Sequence, residues 1–111
     1  MPVSAFADQT LVDRIAGCAG RLSAEVEHAW LVQSDDIVLL ERQRDSLRSI
    51  LTALSQHTGA DAPLPMVIDA KFAHAGLLRA TAFATNPKRR KMAKQQAWVA
   101  RVACQHLLLD S

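Results

Sequence analysis

The chain has 111 residues, half of them hydrophobic, with few aromatics, no tyrosine and a formal net charge of only +2. That is chain enough for one domain around one modest core, and the net charge alone points to no class of partner. No apolar run approaches the roughly 18 residues of a membrane span, and the N-terminal MPVSAFADQT has neither the basic nor the apolar region of a signal peptide. The expectation is a soluble, cytoplasmic protein.

Alanine and leucine dominate while glycine and proline are scarce, a composition that favours helices. The spacing predicts an all-α fold, a small antiparallel bundle of about four helices in a single domain over 1–111. The first helix is expected from Ser4 or Asp8 to about Gln33. Leu11, Ile15, Cys18, Leu22, Val26 and Ala29 recur at offsets of three and four and share one face. Gly17 and Gly20 lie off that face, and each weakens the helix by about 1 kcal/mol relative to Ala. A kink is the expected consequence, and close approach of another backbone is the alternative.

Ser34 or Asp35 can cap a second helix that ends near His57, where HTGADAPLP is loop chemistry. Ile37, Leu40, Arg44, Leu47, Leu51 and Leu54 form a seam of a/d type. Arg44 in that seam is expected to reach out from its edge. Pro63 and Pro65 frame the entry to a third helix over about 65–84. It carries two apolar stripes, Met66, Ala70, Ala73, Leu77, Ala80 and Ala84 against Ile68, Phe72, Ala75 and Phe83. A helix apolar on two sides is either central or faces a partner, and a partner is the reading preferred for so short a chain.

The fourth helix is expected to start at Thr85 or Asn86, with Pro87 at the first helical position, and to reach about Leu109. Arg90, Lys91, Lys94, Trp98, Arg101 and Gln105 share one arc. Met92, Val99, Val102, Ala103 and His106 share the opposing one, which is assigned to the core. Four cations near its start oppose the helix dipole. Charge is also uneven along the chain. Residues 1–60 hold five Arg and eight acids, a net of −3, whereas residues 61–111 hold eight Lys or Arg and three acids, a net of +5. Such asymmetry hints at an interaction surface, or at two halves that pack on each other.

Signals of catalysis are weak. His28, His57, His74 and His106 are not spaced as ligand pairs, no nucleophile or phosphate-loop motif occurs, and Asp35 and Asp36 diverge on a helix. No enzymatic activity, cofactor or metal is expected. Cys18 and Cys104 lie far apart without a C-x-x-C spacing, and are expected to be reduced and buried. The expected function is a small adaptor or chaperone-like protein that binds a protein partner or a second copy of itself. Its candidate surface is Phe72, Leu78 and Phe83 on helix three with Lys91, Lys94, Trp98 and Arg101 on helix four. The alternative is a nucleic-acid-binding accessory protein using Lys88, Arg89, Arg90, Lys91, Lys94 and Arg101.

The stretch RLSAEVEHAWLVQSDDIVLLERQRDSLRSIL, residues 21–51, resembles the first half of FliT-type flagellar export chaperones, through Leu40, Glu41, Arg44, Asp45 and Leu47. The resemblance implies a small helical cytoplasmic protein that shields the terminal helix of a secreted partner. It carries over no functional residue.

Overall fold

A computed structural model describes residues 5–58 and 63–109. It contains four helices, α1 (Ala5–Val32), α2 (Ile37–Thr58), α3 (Leu64–Phe83) and α4 (Pro87–Leu109). No strand occurs among the described residues, and no helix is long and apolar enough to cross a membrane. Part of the HTGADAPLP loop lies outside the described residues.

The helix boundaries follow from local chemistry. α1 stops because Gln33 adopts φ 53°, and Ser34 N–H then closes back on the Ala29 carbonyl at 3.0 Å. That 6→1 closure is a Schellman motif, made here without the usual glycine. Helices one and two are therefore separate. The Asp36 carbonyl accepts from Leu40 N–H at 3.0 Å, which places the start of α2 one or two residues later than Ser34 or Asp35 would. Pro63 caps α3 with Pro65 in its first turn. Asn86 Oδ1 accepts from the amides of Lys88 at 2.9 Å and Arg89 at 3.3 Å, so α4 is capped as expected.

Chain direction alternates. Trp30 meets Glu41 and Ser23 meets Arg48, so α2 runs against α1. α3 runs with α1, since Gly20 lies against Val67 and Lys71 while Ala24 packs with Leu78. α4 runs back, with Arg101 at Glu25 and Cys104 at Cys18. α2 and α3 do not pack on each other; both pack on α1, and α4 lies mainly on α3 before crossing α1 towards α2.

The central element is thus α1, not α3. Leu22, Ala24 and Glu25 are all buried although helical spacing puts them on different sides of α1. Small side chains on two sides permit this, because Ala and Gly let neighbouring helices come close without displacing one another. At Gly20 an added Cβ would lie 2.2 Å from the Val67 carbonyl oxygen and 2.9 Å from the Lys71 nitrogen. The glycine marks a close approach of α3, not a kink. Leu11, at the end of the expected apolar face, is 41% exposed.

The main core joins Ile15, Cys18, Ala19, Leu22, Val26 and Ala29 of α1 to Leu40 and Leu47 of α2 and Cys104 of α4. A second, smaller cluster joins Ala24, Leu78 and Ala97, one residue from each of α1, α3 and α4. Ile37, Leu51 and Leu54 complete the α2 seam. Arg44 sits at its edge, with Nε 3.0 Å from Asp45 and its guanidinium 6.0 Å from the Trp30 ring.

Candidate functional site

Two features follow from how α4 lies on the other helices. The first is a buried polar knot. Glu25 and His74 are buried, and His74 Nε2 donates to Glu25 Oε2 at 2.6 Å. Arg101 Nη1 donates to Glu25 Oε1 at 3.4 Å, and Nη2 to Asp36 Oδ2 at 2.5 Å. The Ser34 hydroxyl donates to the other Asp36 oxygen. The Ser34 hydrogen bond, and after it the Arg101 guanidinium, hold the Asp36 carboxyl below its ordinary range. One cationic side chain therefore joins α1 to the turn before α2 and places α4 over both.

That knot overturns part of the expected strip on α4. Arg101 is not an outward cation; its side chain is largely buried against two carboxylates, with its guanidinium 5.7 Å from the Trp98 ring. The inward positions are Ala93, Ala97 and Cys104, with Ala100 and Arg101 half-buried between them. Met92 and Val99, assigned to the core by the apolar spacing, are instead exposed, as are Ala103 and His106. The physical reason is the close packing demanded by α1 and α3. Alanine fits beneath α4 where methionine and valine do not, and the bonds to Glu25, Asp36 and Cys18 set the rotation of the helix.

The second correction concerns the cysteines. Cys18 and Cys104 are buried, but they form a disulfide between α1 and α4, with Cα atoms 5.3 Å apart. The bond removes the free-thiol argument for a reducing compartment. It lies at one wall of an open cleft of ≈ 1320 Å³ between α1, the start of α3 and the end of α4. Met66, Ala70, Val99 and Leu107 line that cleft with Arg14 and Arg21, and Arg21 Nη1 lies 3.9 Å from each cysteine sulfur.

The candidate surface residues divide. Leu78 is buried with Ala24 and Ala97 and belongs to the core. Phe72 and Phe83 are exposed, Phe72 beside Ile68 on the outer face of α3 and Phe83 at the end of the helix, in a shallow recess shared with Arg89 of α4. Lys91, Lys94 and Trp98 are exposed on α4. Trp98 adjoins Arg101 and hence the α1–α2 corner, not the Phe72 face. At that corner Trp30, Leu31, Val32, Val38 and Leu39 are all half or more exposed. Helical spacing gave no warning of this patch, since the five residues flank a turn. The only sequence signal was the density of large apolar residues on both sides of QSDD.

Charge divides as well. Eight cations and no acid lie between Ala70 and Leu109. Lys71 pairs with Glu27 at 3.0 Å and Arg101 with Glu25 and Asp36, so the two halves of the chain neutralise each other at two points. Arg79, Lys88, Arg89, Arg90, Lys91 and Lys94 make no ion pair among the described residues. Among those residues no group of three or more His, Cys, Asp or Glu is placed to hold a metal ion. No protein-family model matches the chain, and neither do curated proteins or solved structures.

Proposed function

We propose that this protein is a non-enzymatic helical adaptor that binds a protein partner through exposed apolar surface at one end of the bundle. The observation that carries the reading is the α1–α2 corner. Leu31 is 83% exposed, and Trp30, Val32, Val38 and Leu39 surround the same turn. Trp98 extends the patch across Arg101 and Asp36. Contiguous apolar exposure of this kind marks interaction sites on soluble proteins, and tryptophan and arginine are enriched at such contacts.

The base beneath the patch is rigid. The Schellman closure fixes the turn, and the Asp36–Arg101 pair ties it to α4, so little ordering entropy opposes binding. The run that resembles the flagellar export chaperones supports the same end. Leu40 and Leu47 anchor α2 in the core, while Glu41 accepts from Trp30 Nε1 at 3.5 Å and Arg44 stacks on the same ring. A chaperone role, with the patch covering the apolar face of a partner's helix, fits this geometry. The stripe of Ile68 and Phe72 on α3 supplies a second, separate apolar face for the partner-binding role read from helix three.

The test is a double substitution, Leu31→Asp with Val38→Asp, at exposed positions that the core does not use. Affinity capture from source-cell lysate and light scattering are compared with the unsubstituted chain. The expected outcome is a captured protein, or a mass near twice 12.1 kDa, that resists high salt and disappears in the variant. A monomer whose captured proteins are the same with and without the substitutions would overturn the reading.

A further inference from the structure

We propose that the corner between α3 and α4 is a binding site for single-stranded nucleic acid, separate from the apolar α1–α2 corner. Arg79, Lys88, Arg89, Arg90, Lys91 and Lys94 would hold its phosphates, and Phe83 would stack on a base. Arg79 comes from the last turns of α3, and the other five cations from the first turns of α4. They are exposed and make no ion pair among the described residues, Arg90 donating only to the Ala84 carbonyl at 3.5 Å, and no carboxylate occurs on either helix after Asp69. Phe83 is 78% exposed and shares a shallow recess with Arg79 and Arg89. An aromatic face flanked by guanidinium groups is what base stacking between two phosphate contacts requires.

The arrangement also separates candidate polyanions. Lys88, Arg89, Arg90 and Lys91 are consecutive, and successive helical residues turn by roughly 100°. These four cations therefore encircle the start of α4. A flat lipid surface would meet only one or two of them, whereas a flexible phosphate chain can pass around the helix. A rigid duplex has the same difficulty as a membrane. The amides of Lys88 and Arg89 are already taken by Asn86, so the grip is one of side chains, suited to a strand of variable sequence. Lys71 and Arg101 contribute nothing here, because each is held by a carboxylate of the first half.

Fluorescence anisotropy with a labelled oligothymidylate and an oligouridylate of about 12 nucleotides tests this, with salt rising from about 50 to 300 mM. Binding is expected at low salt, with log affinity falling against log salt at a slope between about −2 and −4, roughly −0.7 for each phosphate neutralised. Arg79→Glu with Arg89→Glu should weaken binding at least about tenfold, and Lys91→Gln with Lys94→Gln less. Phe83→Ala should weaken oligonucleotide binding by about tenfold yet leave binding to inorganic polyphosphate unchanged, since only the former has bases to stack. Circular dichroism checks that each variant remains helical. Leu31→Asp with Val38→Asp should leave oligonucleotide binding intact, so failure of this site and failure of the apolar corner give different results. Absence of binding at low salt, indifference to Phe83→Ala, or tighter binding to anionic vesicles or duplex than to the single strands would overturn the proposal.

Discussion

Gly17 and Gly20 are three residues apart on one helix, yet they stand in opposite environments. A Cβ at Gly17 would first meet the guanidinium end of Arg21, at 3.3 Å, and that flexible side chain can move. A Cβ at Gly20 would strike main-chain atoms of α3. Gly17→Ala is therefore expected to be neutral or to stabilise by up to about 1 kcal/mol through helix propensity. Gly20→Ala should destabilise by about 1–3 kcal/mol or more, because α3 must shift bodily. Urea denaturation of the two variants measures the difference; equal effects would mean that α3 does not approach α1 as closely as described. Part of this was legible in the sequence. Ala16, Gly20 and Ala24 are small residues at offsets of four, a pattern that lets two helices touch. The apolar periodicity of Leu22 and Val26 marks only the α2 side of α1, and it masks that second, small-residue side.

At the scale of elements, α4 shows why a helix can be found in sequence while its rotation is missed. Its ends were readable from Asn86, Pro87 and the last leucines, and its length follows. Its inward face was not, because Met92 and Val99 are more hydrophobic than the alanines actually buried, and because Arg101 goes inside with its partners. Tertiary pairing with Glu25, Asp36 and Cys18 outweighs the hydrophobic ranking, and none of those partners is near in sequence. The cysteine pair is the strongest tie, joining residues separated by 86 positions. Breaking so long a loop with a dithiol reductant, or with Cys104→Ser, should cost about 2–4.5 kcal/mol. Amide exchange should quicken most in residues 101–109, around the α4 end of the bond, and least in α1. Thiol counting on the denatured chain provides the check. An unchanged denaturation midpoint on reduction would show that α4 is fixed by Arg101 and α3 alone.

Across the whole molecule, the charge pattern decides between a surface kept for stability and one kept for binding. The asymmetry between the two halves was visible in the sequence, but whether the halves cancel depended on packing. Among the described residues they cancel at Lys71 and Arg101, leaving six cations crowded where α3 meets α4. Four of these, Lys88 to Lys91, stand in the first turn and a half of α4, against the helix dipole and against one another. Such a cluster destabilises the fold that carries it, so replacing a member with an acid should help folding. Lys88→Glu is expected to add about 0.3–1 kcal/mol at low ionic strength, from the dipole and from relief of repulsion. For a domain of this size that is a rise in melting temperature of roughly 1–6 °C, fading as salt shortens the screening length to a few ångströms. The same substitution should weaken oligonucleotide binding. Thermal melts at low and high salt, run beside the anisotropy titration, measure both effects on one variant. A lower melting temperature would mean that Lys88 supports the fold through contacts of its own, whereas a higher one together with lost binding would show a stable helix start given up for a charged grip.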